Sequence, residues 1–202
     1  SLHDALPISL VTKKINEVVG LNLPVNFICP SHGVIWRDNP LQIARKYLQW
    51  AADYQENQIS IIYDTMWDGT RMLAEHIARG IKQADDKVTV KLFNISRRDI
   101  NDVVTEVFKS KAILLGSPTI NKGILNAMSA LIEMIAGLKF KKKKATAFGC
   151  YGWSGESVQI LNDHLSKAGF DVIGDGFKAM WQPGEDVLAQ ALAFGKDFAG
   201  KA

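Results

Sequence analysis

From residue 59 onward the apolar positions switch repeatedly between two rhythms. Ile59, Ile61, Ile62 and Tyr63 surround a single Ser60 in an almost continuous run, which predicts a strand covered on both faces. Leu73, Ile77 and Ile81 then recur at helical spacing, so a helix is expected over 69–81. Val88, Val90 and Leu92 alternate like an outer strand, and Ile100, Val103, Val104, Val107 and Phe108 predict a helix over 99–109. The same alternation gives a strand at 112–115, a helix at 123–136, a strand at 145–149 and a helix at 155–168. A last strand near 171–177, interrupted by Gly174 and Gly176, precedes a helix at 184–198. Repeated strand–helix units of this kind predict an α/β fold with a parallel sheet covered on both faces. Right-handed crossovers then place ligands at the carboxyl ends of the strands, near the point where strand order reverses.

The first 57 residues follow another pattern. Ile15, Val18 and Val19 predict a helix within 10–21, PVNFICP (24–30) a short strand bounded by prolines, and PLQIARKYLQWAADYQE (40–56) a helix opened by Pro40. Two helices and one strand make too few layers for an independent core. Residues 1–57 are therefore expected to be an appendage or the end of something larger, and residues 58–202 the main domain.

Composition narrows the class without choosing a function. With 47% hydrophobic and 22% charged residues in a chain of 202, the protein reads as globular, neither disordered nor a coiled coil. A formal net charge of +3 gives little support for a nucleic acid partner, and none is expected. The basic cluster of Lys139 and Lys141–Lys144 reads most simply as a solvated connection, with an anionic contact as the sharper alternative. Two cysteines, Cys29 and Cys150, make no disulfide framework, and no apolar stretch approaches membrane-spanning length. The opening SLHDALPISL is not patterned as a signal peptide, so a cytoplasmic location without membrane attachment is expected.

Three strand-end loops carry the candidate chemistry. After the first strand, Asp64-Thr65-Met66-Trp67-Asp68-Gly69-Thr70 has neither the GxxxxGK of a nucleoside triphosphate loop nor the GxGxxG of a dinucleotide turn. It offers two hydroxyls, a glycine and the N–H groups of a helix start. Those parts suit a phosphomonoester, or they serve only to cap the helix. After the third strand, Gly116-Ser117-Pro118-Thr119-Ile120-Asn121-Lys122-Gly123 is kept extended at Ser117 by the following proline. It can present backbone groups to the edge of a planar ring, or be an ordinary connection. After the fourth strand, Phe148-Gly149-Cys150-Tyr151-Gly152-Trp153-Ser154-Gly155-Glu156 sets two aromatic residues among three glycines, as a cover for a flat apolar ligand would need. Trp153 packed back on the sheet is the alternative. Cys150 has no cationic neighbour in its segment and reads as a small buried residue.

One loop suited to phosphate, one to a ring edge and one to ring faces, at the same end of one sheet, together predict a flavin mononucleotide (FMN) site. On those residues, the segment 58–200 resembles a flavodoxin-like domain. YDTMWDGT, GSPTINKG and AFGCYGWSG are similar to that family's phosphate loop and two ring-binding loops. The resemblance is closer still to the carboxy-terminal half of the flavodiiron proteins, above all those that reduce nitric oxide anaerobically. Residues 24–56, with CPSHGVIWRDNPLQIARKYLQWAADYQE at their heart, resemble the end of the metallo-β-lactamase-like diiron domain and the junction into the flavin domain.

That resemblance implies a five-stranded parallel sheet of order 2-1-3-4-5. It also implies FMN held by Thr65, Met66, Trp67, Asp68, Gly69 and Thr70, by Ser117, Pro118, Thr119, Ile120 and Asn121, and by Gly149, Cys150, Tyr151, Gly152, Trp153, Ser154 and Gly155. Tyr151 and Trp153 would neighbour the ring, Trp67 would lie over the ribityl chain, and Asp68 would face solvent or cap the helix. His32, in the SHG turn, is similar to a terminal iron ligand. The other ligands are missing from this sequence, and His3, His76 and His164 do not replace them, so iron is expected only in a full-length parent. The implied role is electron relay from rubredoxin, or a rubredoxin-like domain and its reductase, to a diiron centre, usually in the partner subunit of a head-to-tail homodimer. Reduction of nitric oxide or oxygen by this chain alone is not expected. An NAD(P)H:quinone oxidoreductase of the same fold and a flavin-free structural domain are the rival readings. A response-regulator receiver is disfavoured because Gly116-Ser117 stands where its aspartate belongs.

Overall fold

The computed structural model describes residues 8–202, with side chains from residue 10 onward. The chain forms two compact units, one ending at Tyr54 and one spanning Gln55–Ala202. The first contains α1 (Ile8–Gly20) and α2 (Leu41–Trp50). The strand expected at 24–30 is reduced to one antiparallel bridge, in which Ile28 and Trp36 exchange N–H···O bonds of 3.0 Å. Prolines at 24 and 30 lack the N–H a longer ladder needs. The helix expected to reach 56 stops at Trp50, and Asp53 takes a left-handed φ of 53° before the second unit starts. No side chain from Leu10 to Tyr54 is buried.

The second unit is built from β1 (Glu56–Tyr63), α3 (Gly69–Ala84), β2 (Thr89–Asn94), α4 (Ile100–Lys109), β3 (Ser110–Gly116), α5 (Asn126–Leu138), β4 (Lys144–Tyr151), α6 (Ser157–Lys167), β5 (Asp171–Val172), β6 (Phe177–Met180) and α7 (Glu185–Lys201). The sheet runs β2-β1-β3-β4-β5, every pairing parallel, and β6 also pairs with β4. This is the expected flavodoxin-like order. Its fifth strand is split, because Gly174 and Gly176 adopt φ of 65° and 85° and turn the chain out of the ladder. The second half, β6, continues to Met180, three residues beyond the expected end.

Alternate strand residues feed two cores. Ile59, Ile61, Ala112 and Leu114 pack with Leu73, Ile77, Ala191 and Phe198 under α3 and α7. Ile62, Ile113, Leu115 and Ala145 pack with Val103, Leu131 and Leu161 under α4, α5 and α6. Burial of both faces explains the near-continuous apolar runs in β1 and β3.

α3 and α7 approach so closely that neither tolerates a side chain at the crossing. A β-carbon on Gly80 would lie 2.0 Å from the Leu192 carbonyl oxygen, and one on Gly195 would lie 2.2 Å from that of Ile77. At the opposite end of the sheet from the loops, Lys143 departs from the solvated reading of its basic cluster. It is buried, its Nζ donates to the Phe108 and Ser110 carbonyls at 2.9 and 2.7 Å, and it lies over the rings of Phe108 and Phe140. The carbonyls at the end of α4 and the start of β3 thus find a donor that water would otherwise supply.

Alanine is the better helix former by about 1 kcal/mol, so propensity alone favours Gly195→Ala. The crossing reverses the sign: this substitution is expected to lower unfolding stability by about 2 kcal/mol or more, read from urea denaturation midpoints.

Candidate functional site

One row of paired residues crosses the sheet at its carboxyl end: Asn94, Tyr63, Gly116, Phe148 and Phe177 lie side by side on five strands. β1 and β3 stop at this row. β4 and β6 continue three residues further, to Tyr151 and Met180, and form a ledge beside the loops. The strand expected to end at Gly149 thus takes in Cys150 and Tyr151 as well, and the connection to α6 is only Gly152–Glu156.

The loop after β1 begins with Asp64. Its buried carboxylate accepts from the Thr65 N–H at 2.9 Å and from the Ser96 hydroxyl at 2.7 Å. The first helical bond of α3 runs from Met72 N–H to the Asp68 carbonyl, so the N–H groups of Gly69, Thr70 and Arg71 precede any helical acceptor. Asp68 occupies the cap position with a left-handed φ of 63° and makes no side-chain cap. Its carboxylate accepts from Arg71 Nε at 2.9 Å, while Arg71 Nη1 donates to Glu75 at 2.7 Å. The bond from Arg71 holds the Asp68 carboxyl below the usual carboxylate range. Beneath the loop, Thr65 Oγ1 and Thr70 Oγ1 are buried and have no hydrogen-bond partner. Met66 and Trp67 are exposed, Trp67 to 83%. Two hydroxyls and a set of N–H groups, with the Asp68 carboxylate held by Arg71 and the Asp64 carboxylate held by Thr65 and Ser96, form a set of donors suited to a small anion.

The loop after β3 is braced more heavily than its sequence suggests. Ser117 N–H donates to the Phe148 carbonyl at 3.2 Å, and its carbonyl accepts from Ser157 Oγ at 2.9 Å. Its hydroxyl donates to the Pro118 carbonyl and accepts from Leu125 N–H. Thr119 N–H donates to the Cys150 carbonyl at 2.9 Å, and Thr119 Oγ1 lies 3.0 Å from Ser157 Oγ. Ser117 and Thr119, expected at a ring edge, thus spend their polar groups holding the loop to β4 and α6, and Pro118 is buried. The part left to meet a ligand is the hairpin tip, where Ile120 and Gly123 pair and Asn121 and Lys122 take φ of 48° and 58°. Behind it, a cleft of about 680 Å³ is lined by Asp64, Ser96, Ile120, Asn121 and the start of α5.

On the ledge, Gly149 is bare because a β-carbon would meet the Ser117 carbonyl oxygen at 2.0 Å. Cys150 lies under the phosphate-type loop, with its Sγ 3.0 Å from where a β-carbon of Gly69 would stand. Burial pushes its thiol up to about 11, offset in part by the adjacent Thr70 hydroxyl, whose contact is too loose to satisfy that hydroxyl. Tyr151 is half-buried against Gly155, which takes a φ of 73°, and Ser154 donates to Glu156 at 2.7 Å. Trp153 is 86% exposed and does not pack back on the sheet. Its ring meets that of Trp181 edge to face, with centroids 5.3 Å apart and planes at 68°. A strand ending near 177 leaves Trp181 out of reach of this site; the alternation of Phe177 and Ala179 is the sequence signal that extends β6 to it.

His32 lies on an exposed bend of the first unit. Among the described residues no three His, Cys, Asp or Glu side chains are grouped to hold a metal ion, and no helix is long and apolar enough to cross a membrane. His76 Nδ1 lies 2.8 Å from the Met72 carbonyl oxygen within α3, and His164 sits in the last turn of α6. His3 lies outside the described residues.

The family model for flavodoxin matches residues 61–195. Over 190 residues the chain is 50% identical to the anaerobic nitric oxide reductase flavorubredoxin of Klebsiella pneumoniae and 48% identical to that of Escherichia coli O1:K1. Those alignments cover 94% of this chain and 39% and 40% of the relatives, so the chain spans about two-fifths of their length. Among solved structures, rubredoxin oxygen:oxidoreductase from Desulfovibrio gigas superposes with a TM-score of 0.89 at 32% identity, covering 96% of this chain and 48% of that one. A flavodoxin from the domain Archaea superposes with a TM-score of 0.64 at 25% identity, covering 71% of this chain and 97% of that one.

Two outcomes follow from the buried groups. Thr70→Val removes an unsatisfied hydroxyl at constant shape, so the ligand-free protein is expected to gain about 1 kcal/mol of unfolding stability in urea titrations. At pH 8, iodoacetamide should label the exposed Cys29 and spare Cys150, whose thiolate fraction is on the order of a thousandth. Labelling of Cys150 should rise as pH approaches 11, as counted by mass spectrometry.

Proposed function

The chain belongs to the flavodoxin family, and from that membership we propose that residues 55–202 bind FMN and act as the electron-carrying domain of a flavodiiron-type reductase. The observation that carries the reading is the pair of buried, unpartnered hydroxyls, Thr65 Oγ1 and Thr70 Oγ1, beside the free N–H groups of α3. A phosphate ester supplies the acceptor oxygens that this cluster of donors lacks, and the site fits such a group without a cationic side chain.

The remaining residues take roles that follow from their positions. Met66, Trp67 and Gly69 border the phosphate, and Arg71, bonded to both Asp68 and Glu75, offsets part of the acidic charge that would oppose the dianion. Ile120 and Asn121 at the hairpin tip meet the ring edge through their backbone. Ser117, Pro118 and Thr119 hold that tip in place. Gly149, Cys150, Gly152, Ser154 and Gly155 shape the ledge, and Tyr151 and Trp153 offer aromatic faces. Bound FMN supplies the capacity to accept and release electrons singly or in pairs. The protein binds it, orients it and excludes water from one side.

The similarity to flavorubredoxin and to rubredoxin oxygen:oxidoreductase supports a rubredoxin-type electron donor and its reductase, and a diiron acceptor that reduces nitric oxide or oxygen. His32 would be one ligand of such a centre in a full-length parent, with the flavin serving the partner subunit of a head-to-tail homodimer. This chain alone would relay electrons without completing that reduction.

The test is retention of colour. Protein mixed with excess FMN and desalted should stay yellow and bind one FMN per chain; colourless protein would overturn the proposal. Thr70→Val and Thr65→Val should each weaken FMN by roughly tenfold or more while leaving riboflavin, which lacks the phosphate, nearly unchanged. Equal losses for both ligands would place the phosphate elsewhere.

A further inference from the structure

Trp181 is the residue of this region whose conformation is hardest to account for by packing alone. It follows β6 directly, is 58% exposed, and takes a φ of 56°, a left-handed conformation that is costly for a bulky side chain. Two contacts hold it there. Its N–H donates to the Tyr151 carbonyl at 2.7 Å, extending the β4–β6 ladder by one bond. Its six-membered ring lies against Gly152 so closely that a β-carbon there would be 3.3 Å from Cη2 and Cζ3.

The outcome of that strain is the edge-to-face contact with Trp153. Trp153 stands almost wholly in solvent on a five-residue connection, and the ring contact the structure gives it is with Trp181. The next residues, Gln182 and Pro183, sit against Gly69 at the start of α3, and Gln182 Nε2 lies 3.1 Å from Met72 Sδ. One short loop therefore touches both the anion-receptor end and the aromatic end of the site. Backbone strain at an exposed aromatic residue, fixed by a bare glycine and a ladder bond, is a device for setting the angle of a neighbouring ring.

We propose that Trp181 is a positioning residue for the flavin ring: through the edge-to-face contact it fixes the orientation of the Trp153 indole, and with it the aromatic surface that Trp153 offers to a flavin. This rests on the FMN reading above and goes beyond it by assigning a specific function to a residue outside the three sequence loops. Because Trp181 acts at the ring end, its loss should be felt equally by FMN and riboflavin. Thr65 and Thr70 act at the phosphate end and should discriminate between the two.

The experiment titrates FMN and riboflavin against the full chain and against Trp181→Leu, Trp181→Phe and Gly152→Ala, reading binding from quenching of flavin fluorescence. Near-UV circular dichroism of the ligand-free proteins reports the Trp153–Trp181 pair. Trp181→Leu should lose the paired-indole signal and weaken both flavins by the same factor, about fivefold, with Trp181→Phe retaining most of the affinity. Gly152→Ala, which crowds Trp181, should shift both affinities in the direction of Trp181→Leu. Unchanged binding of both flavins in Trp181→Leu, or a loss confined to FMN, would overturn the assignment. If Trp181→Leu does not fold, equal weakening of both flavins by Gly152→Ala supports the assignment and unchanged affinities sink it. Wild-type protein that binds neither flavin would remove the FMN reading itself, and this assignment with it.

Discussion

The site depends on the parallel register that lines up Tyr63, Gly116, Phe148 and Phe177 in a single row. A parallel pairing fixes every strand end relative to its neighbour, and a slip by one residue would also exchange the two core faces. With both faces buried against helices, such a slip would expose Ile59 and Ile61 to the wrong helix layer and is strongly disfavoured. The loops need no tight internal order to arrive together. Their starting points are already fixed by the packing beneath them.

Upon that row, the protein divides its chemistry by height. β1 and β3 end level, so the loop of Thr65 and Thr70 starts at the floor, whereas the chain after β3 stays bonded to β4 through Ser117 and Thr119 and carries the hairpin of Ile120–Gly123 up beside the ledge. β4 and β6 overshoot by three residues and raise Tyr151, Trp153 and Trp181 into an aromatic wall. The floor is rich in unpaired donors, and the wall is apolar and exposed. A ligand with an anionic end and a flat apolar end meets both demands. Arg71, bonded to both Asp68 and Glu75, offsets part of the acidic charge near those donors.

Much of this was legible in the sequence, for a physical reason. Strands buried on both faces read as apolar runs, so β1 and β3 and the helices between them were placed within a few residues; the βα alternation gave a parallel sheet, and its strand order came from the family resemblance. Asp64–Thr70 stood out because hydroxyls and a glycine fall where a helix opens. The fifth strand was only partly legible: two glycines with left-handed φ split it, and exposed Lys178 and Met180 disguise its second half, which hid Trp181. Gly149 was legible as the end of a strand, but not the reason for its bareness, which is that it lets β4 pass close to Ser117. The roles of Ser117 and Thr119 as braces depend on partners some forty residues away at Ser157, a distance that no local pattern reports. In the first unit, prolines bounded a segment that looked like a strand but left it a single bridge.

Lys143 carries a lesson about reading charge. Four consecutive lysines, Lys141 to Lys144, suggest interchangeable solubilising groups, any of which a neighbour could replace. Position 143 breaks that equivalence: its side chain is buried, with its ammonium on two carbonyls and over two phenyl rings at the joint between α4 and β3, and a shorter stem would not reach those carbonyls. Protein chemistry that acts on accessible amines, such as acylation or tryptic cleavage, should therefore sort these lysines sharply, and reaction at Lys143 would report opening of the sheet's base and not the surface character of the cluster.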